Sequence, residues 1–379
     1  MPATEIIIST QNFPPAAGGI QNYMYELALA LHELGNRVTV FCDAPKMPQQ
    51  EEFDANQPFD IVRVGGPKVI RRLSKARRVM RQLRQASPAL LICDSWKSLE
   101  HLQPAKLKQV RSLCIGHGME FPQLTNGKKQ GKKQQRIQGV LARAQAVLAN
   151  SHFTAGRIKP YAPDPSRIHI LHPGVRRPLP PSPQDVAKIA QWVDGHQPII
   201  TTVGRLEARK GQDKVIELIP RLVQQYPTLR YLIAGSGPLE DTLKQRVDQL
   251  GIAEQVRFCG RISDSERAAL LQRADIFAMP CRAVGDSVEG FGIVYIEAAM
   301  FGVPSLAGRL GGAGDAVLDG QTGLLCDGDN DDDIFDKITA LIAAPARTAA
   351  MGQQARQRAE SELQWQTIAS KLLAISETV

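Results

Sequence analysis

Short apolar runs alternate along the chain with longer stretches in which apolar side chains recur at helical spacing. Residues 5–10 (EIIIST) have the pattern of a buried strand, residues 20–34 that of a helix closed by Gly35, and residues 37–42 (RVTVFC) that of a second strand. This opening predicts a βαβ unit, with two glycines, Gly18 and Gly19, at the first turn from strand to helix.

The same alternation recurs on both sides of a proline-rich segment at residues 173–183. Further strands are predicted at residues 89–93, 112–115, 199–203, 229–234, 256–259 and 274–280. Strands that alternate with helices at this spacing indicate parallel sheets covered by helices on both faces. The chain is therefore predicted to be an α/β protein with two Rossmann-like, doubly wound domains joined by a proline-rich linker.

The composition of the 379 residues, 43% hydrophobic and 22% charged, is that of a globular protein. No apolar run approaches the ~20 residues that span a bilayer. The first ten residues carry an acid and no basic residue, so they predict a strand and not a signal peptide. The six cysteines are scattered without a CxxC pair, which is typical of reduced thiols, and we therefore expect a cytoplasmic protein.

The net charge of +8 predicts an anionic partner. The stretch from Lys68 to Arg84 holds eight basic residues and no acid, and its apolar stripe predicts an amphipathic helix. Two interpretations stay open: the helix docks on an anionic membrane surface, or it is a solvated surface helix whose stripe packs on the core. The stripe consists of Val69, Leu73, Ala76, Met80 and Leu83.

No nucleic acid is expected as a partner of these basic residues, because no aromatic residue lies among them to stack on bases. A second basic run, residues 128–133 (KKQGKK), predicts a basic loop.

The candidate chemistry centres on residues 288–304 (VEGFGIVYIEAAMFGVP), which predict a loop that enters a helix. Unpaired N–H groups at a helix start suit a pyrophosphate, and Gly290 and Gly292 let the backbone approach it. Glu289 would lie beside the ligand, and Glu297, just over one turn into the helix, would accept from ribose hydroxyls. The alternative is a buried helix on which both acids serve as caps and salt-bridge partners.

The motif EGFGIVYIE, followed by a GVP turn, resembles the signature of the retaining family 4 glycosyltransferases, which has two glutamates separated by seven residues. Arg205 and Lys210 match the GR-x4-K pattern of that family. These motifs are similar to those of bacterial phosphatidylinositol mannosyltransferases and related α-mannosyltransferases.

The resemblance implies a GT-B fold, in which two Rossmann-like domains face each other across a cleft. The acceptor-binding domain would span residues 1–175 and receive residues 363–379 as a helix that crosses back. The nucleotide-sugar-binding domain would span residues 184–362.

The resemblance also implies roles for single residues. His117 and Glu289 would contact the transferred sugar and serve catalysis, and Glu297 would hold the ribose. Arg205 and Lys210 would bind the diphosphate. The remaining residues of the expected donor site are Gly19, which approaches the diphosphate from the first domain, Arg261 and Ile262, which hold the base, and Gly204, Gly290, Phe291, Gly292, Ile293 and Val294.

The implied activity is transfer of a hexose from a nucleotide sugar to a hydroxyl group of a lipid or saccharide acceptor, with retention of the anomeric configuration. GDP-mannose is the favoured donor, and a UDP-hexose is the alternative. A nucleotide-sugar-binding protein without catalysis is the alternative that is not an enzyme. No metal or other cofactor is expected, because no Asp-x-Asp pair ends a strand of the first domain.

Overall fold

The computed structural model of the protein describes residues 4–44, 47, 49–85, 89–107, 110–123 and 128–379, with backbone alone for residues 105–106 and 128–130. The chain forms two compact units. Unit 1 comprises Met1–Gly174 together with Trp365–Val379, and unit 2 comprises Val175–Gln364. The last helix of the chain therefore belongs to the first unit.

The described residues of unit 1 form a seven-stranded sheet in the order β3-β2-β1-β4-β5-β6-β7, and all neighbouring strands are parallel. The strands are β1 (Glu5–Ser9), β2 (Arg37–Asp43), β3 (Asp60–Val64), β4 (Ala89–Cys93), β5 (Arg111–Gly116), β6 (Ala146–Ala149) and β7 (Ile168–Ile170). The strand order reverses between β1 and β4. Open α/β sheets bind ligands at the carboxyl ends of strands beside such a reversal.

The helices that connect these strands are α1 (Gly19–Glu33), α2 (Gln50–Ala55), α3 (Lys68–Gln85), α4 (Trp96–Leu99), α5 (Pro104–Leu107), α6 (Lys128–Leu141) and α7 (His152–Ile158). The prediction of a loop at residues 128–133 is wrong, because these residues begin α6. Lys and Gln are good helix formers, and the single Gly131 does not outweigh them.

Helix α3 buries its second half and exposes its first. Ala76, Met80 and Leu83 of the predicted stripe lie in the core of unit 1, where Val79 joins them. Val69 and Leu73 of the same stripe are exposed. The core interpretation of the stripe is therefore confirmed for the second half of the helix and wrong for the first.

The described residues of unit 2 form a six-stranded parallel sheet in the order β10-β9-β8-β11-β12-β13. The strands are β8 (Ile199–Val203), β9 (Arg230–Ala234), β10 (Val256–Gly260), β11 (Ile276–Met279), β12 (Ser305–Gly308) and β13 (Gly323–Cys326). Here the order reverses between β8 and β11, so the loops after these two strands occupy the position that favours ligand binding.

The helices of unit 2 cover both faces of its sheet, which explains why its strands are almost wholly apolar. They are α8 (Pro183–Val193), α9 (Gln212–Gln225), α10 (Glu240–Leu250), α11 (Asp264–Arg273), α12 (Ile293–Ala299), α13 (Ala313–Ala316), α14 (Asp331–Ala343) and α15 (Pro345–Glu362). The last helix, α16 (Trp365–Thr378), packs on α1 in unit 1, where the rings of Trp365 and Tyr23 meet edge to face at 5.2 Å. Among the described helices, none has the length and apolar character needed to cross a membrane.

Candidate active site

The loop after β8, residues 204–211, brings three cations, Arg205, Arg209 and Lys210, to the carboxyl edge of the unit 2 sheet. Ala208–Lys210 form a turn of 3-10 helix, and Gly211 ends it with a φ of 77°. A side chain at Gly211 would place its Cβ 2.4 Å from the carbonyl oxygen of Pro280, which follows β11. Glycine is needed here, both for the left-handed backbone and for the close approach of the two loops at the strand-order reversal.

Glu289, in the loop between β11 and α12, accepts contacts from both cations of that turn. Lys210 Nζ lies 2.5 Å and Arg209 Nη1 lies 2.7 Å from the same carboxylate oxygen, Oε2. Among the described residues, no hydrogen bond or ion pair engages Oε1. The structure thus brings together Lys210 and Glu289, to which the family resemblance gives roles at the diphosphate and at the sugar.

The ion pairs continue from Arg209 towards Arg205. Glu207 accepts from Arg209 Nε at 3.1 Å through Oε2 and from Arg205 Nε at 3.1 Å through Oε1. Neither Arg209 nor Glu207 was among the site residues predicted from sequence. The alternating charges of GRLEARKG are the signal that would have found them.

The charge state of Glu289 follows from these contacts. Burial alone would raise the pKa of its carboxyl, but the nearby charges of Lys210 and Arg209 outweigh burial and lower that pKa to about 2. The group is therefore ionised at neutral pH, and it serves as a hydrogen-bond acceptor and not as an acid.

Helix α12 begins directly after the glycine loop, as the sequence predicts. Its N-cap is Gly292, with a φ of 87° and no side-chain cap, so neither glutamate caps this helix. A Cβ on Gly292 would lie 2.5 Å from the Tyr295 ring. The first N–H groups of a helix have no partner within it. In this helix those groups belong to Ile293 and Val294, after Gly290 and the buried Phe291.

Glu297 lies one turn into α12, half-buried, with Arg267 of α11 at 3.6 Å. Burial raises the pKa of the Glu297 carboxyl above its ordinary value, although Arg267 opposes the shift. Both glutamates therefore have a cationic partner, as the salt-bridge alternative predicts. Glu289 also has a second oxygen, Oε1, which no described side chain engages and which can accept from a ligand hydroxyl.

The predicted base-binding pair follows β10. Arg261 is exposed and donates from Nε to Ser236 Oγ at 2.9 Å, and Ile262 is half-buried. The loop after β9 packs closely against the loop after β8, residues 204–211. A Cβ on Gly235 would lie only 1.9 Å from the carbonyl oxygen of Gly204. The predicted residues that follow β8, β10 and β11 thus lie along one edge of the sheet.

Gly19 and His117 lie in unit 1, at the carboxyl edge of its sheet. Gly19 is the first residue of α1, and a Cβ there would meet no atom of the described residues within 4 Å. His117 follows β5, donates its backbone N–H to Glu120 at 2.7 Å, and meets the ring of Tyr23 at 5.3 Å. Its Nε2 is buried and has no hydrogen-bond partner among the described residues.

Comparisons with known proteins agree with this architecture. The model of Glycosyltransferase Family 4 matches residues 17–177, and that of Glycosyl transferases group 1 matches residues 187–358. The GDP-mannose-dependent alpha-(1-6)-phosphatidylinositol monomannoside mannosyltransferase of Mycolicibacterium smegmatis is 33% identical over 381 residues, 97% of each chain. The GDP-mannose-dependent monoacylated alpha-(1-6)-phosphatidylinositol monomannoside mannosyltransferase of Corynebacterium glutamicum is 27% identical, over 98% of this chain and 97% of its own.

Solved structures show the same fold at lower identity. A glycosyltransferase from Rickettsia africae superposes with a TM-score of 0.78 at 17% identity, over 99% of this chain and 98% of its own. Sucrose-phosphate synthase from Thermosynechococcus elongatus superposes with a TM-score of 0.76 at 22% identity, over the same shares. These neighbours confirm the GT-B fold with its two Rossmann-like domains.

Proposed function

The chain belongs to the family 4 glycosyltransferases, and we propose that it transfers mannose from GDP-mannose to a hydroxyl group of a lipid-linked acceptor, with retention of the anomeric configuration. The acceptor class we propose is a phosphatidylinositol mannoside, which is the acceptor class in the names of its relatives from Mycolicibacterium and Corynebacterium.

The observation that carries this proposal is the arrangement around Glu289. Arg205 and Lys210 supply positive charge to a departing diphosphate, which Arg binds through two N–H groups and Lys as a point charge. Glu289 is ionised, with one oxygen held by cations, and offers Oε1 to a hydroxyl of the sugar. Such a hydrogen bond strengthens as positive charge develops on the sugar ring, so it favours the transition state.

The same arrangement removes the need for an acid. When the bond between the sugar and the diphosphate breaks, the departing diphosphate needs no proton if cations stabilise its developing negative charge. The pKa of about 2 leaves Glu289 no proton to donate at neutral pH. A glycosidase, by contrast, needs one carboxyl group that protonates the leaving oxygen.

The donor is tested by thermal unfolding of the whole chain in the presence of GDP, GDP-mannose, UDP and UDP-glucose. Ligands that bind the folded state raise its melting temperature, so the guanosine compounds are expected to raise it more than the uridine ones. Lys210→Ala is the control and should lose most of the shift. If UDP-glucose raised the melting temperature and GDP-mannose did not, the donor would be a UDP-hexose and not GDP-mannose. If no nucleotide raised the melting temperature, the proposed function would be rejected.

We also propose that α3 docks on an anionic membrane that holds the acceptor. Val69 and Ile70 are 68% and 63% exposed, and Leu73 is 41% exposed. Arg77 and Arg81 lie on the same face of the helix, at spacings of seven and eleven residues from Ile70. Exposed apolar side chains next to basic ones on one helix face favour binding at the surface of an anionic bilayer.

A further inference from the structure

Five charged side chains of unit 2 form one continuous chain of ion pairs. In order along this chain they are Arg205, Glu207, Arg209, Glu289 and Lys210, with successive N–O distances of 3.1, 3.1, 2.7 and 2.5 Å. The two ends of the chain are the cations that we expect to bind the donor's diphosphate. The middle cation, Arg209, has no role assigned by the family motif.

The charge balance around Glu289 requires Arg209. Lys210 and Glu289 by themselves form a neutral pair, and a neutral pair attracts a diphosphate only weakly. Arg209 binds the same carboxylate oxygen as Lys210, so it contributes the second positive charge against one negative charge. The three side chains together carry one net positive charge, and the five side chains of the whole chain of ion pairs carry the same net charge, because Arg205 balances Glu207.

We propose that Arg209 is a positioning residue that neutralises Glu289, so that Lys210 keeps its charge for the donor's diphosphate. The inference rests on the proposed function of this site.

The contacts of Arg209 favour this role over direct binding of phosphate. Its side chain lies between two carboxylates and is 23% exposed, whereas that of Arg205 is 69% exposed. Its backbone carbonyl accepts from the N–H of Arg282, whose guanidinium pairs with Asp213 at 3.0 and 2.5 Å. The guanidinium of Arg209 is therefore already held by Glu207 and Glu289 before a ligand arrives.

The role predicts a specific coupling between two substitutions. GDP affinity is measured by titration for the parent, Arg209→Gln, Glu289→Gln and the double variant, with UDP titrated in parallel. In the parent background, Arg209→Gln should weaken GDP binding about tenfold, because Lys210 is then the only cation left to balance the charge of Glu289. In the Glu289→Gln background the same change should cost less than about twofold, since Lys210 then faces no carboxylate and Glu207 keeps its contact with Arg205.

Two further variants separate this role from a structural one. Arg209→Lys keeps the charge and should bind GDP with an affinity within about threefold of that of the parent. If Arg209→Gln does not fold, Arg209→Met replaces it, with the same expected losses of GDP affinity in the two backgrounds. Arg246→Gln is the matched control, because Arg246 pairs with Glu217 at 2.6 Å on the exposed surface of the same unit. This control should leave GDP binding unchanged.

Equal losses of GDP affinity in both backgrounds would overturn the inference, because Arg209 would then bind phosphate itself. No loss in either background would also overturn it. If the parent binds neither GDP nor UDP, the proposed function fails first, and the inference fails with it.

Discussion

The carboxylate of Glu289 is largely removed from solvent and still ionised, because two cations contact it. Its side chain is 12% exposed, and both Lys210 and Arg209 contact one of its oxygens. A buried charge is stable only when it is paired, and a pair that shares one oxygen leaves the other free to bind. The chemistry we propose for Glu289 depends on this asymmetry between Oε1 and Oε2.

Replacement of Glu289 by Gln tests that asymmetry. We expect Glu289→Gln to lower the rate of mannose transfer by about 10²-fold or more, a barrier increase of ~2.7 kcal/mol, because the amide is a weaker acceptor as ring charge develops. GDP affinity should not fall, since Lys210 and Arg209 are released. A transfer assay and a GDP titration on the same variant measure the two effects. Glu297→Gln is the comparison, because it should lose GDP affinity when its contact with the ribose is lost.

The low pKa of Glu289 also predicts how stability depends on pH. Its folded pKa of about 2 lies below the ordinary value of 4.5, so the ionised group stabilises the fold above pH ~4.5 and loses that contribution as the pH falls towards 2. The difference in free energy of unfolding between the parent and Glu289→Gln should shrink by about 2 kcal/mol between pH ~6 and pH ~3. Denaturant unfolding at several pH values measures it, and a difference independent of pH would contradict the assignment.

The sequence predicted some of these residues and not others for a physical reason. Glu289 and Lys210 stand in motifs with fixed spacing, so the resemblance places them in the site. Arg209 and Glu207 have no such spacing, and their contacts depend on how the 3-10 turn directs adjacent side chains. Charge patterns show that pairs can form, but the backbone decides which ones do.

Helix α3 shows what periodicity predicts at the scale of an element. The stripe at helical spacing correctly predicted a helix, and its second half packs on the core, as one of the two open interpretations expects. It did not show that the first turns extend beyond the core, where Val69, Ile70 and Leu73 stay exposed. A periodic stripe shows which face of a helix is apolar. How much of that face is buried depends on the elements that pack against it.

The exposed half of α3 gives a prediction about membrane binding. Val69, Ile70 and Leu73 replaced together by Ser, or Arg77, Arg81 and Arg84 replaced together by Gln, should each weaken binding to anionic vesicles. The loss for the arginines is about 1 kcal/mol per charge at the surface. Co-sedimentation with vesicles containing phosphatidylserine, compared with neutral vesicles, measures the effect.

The matched control for this prediction removes three exposed basic residues of unit 2. Lys244, Arg246 and Arg356 replaced by Gln change the net charge equally but lie on other helices. This control should bind vesicles like the parent. If all three variants bind equally well, α3 is a surface helix without a membrane role, and the donor site is unaffected by that result.

Across the whole molecule, the alternation of strand and helix predicted both sheets, because parallel strands need crossover helices and both are visible in sequence. The order of strands across each sheet was not predicted. The reversals between β1 and β4 and between β8 and β11 depend on which side each crossover takes, and no local pattern records that choice. Long-range pairings such as Val175 with Gln364 are likewise absent from any local pattern.

A diphosphate leaving group must be neutralised, either by a bound divalent cation or by protein cations. Unit 2 supplies Arg205 and Lys210, with Arg209 to balance Glu289. We therefore expect EDTA-treated enzyme to transfer mannose from GDP-mannose at a rate within about twofold of the rate in Mg²⁺ or Mn²⁺. By contrast, Arg205→Ala and Lys210→Ala should each lower GDP affinity by a factor of ten or more. Such a loss corresponds to about 1.5–3 kcal/mol for each charge-assisted contact. Transfer that stops in EDTA and returns with Mg²⁺ or Mn²⁺ would show that a metal ion does the work assigned here to these side chains.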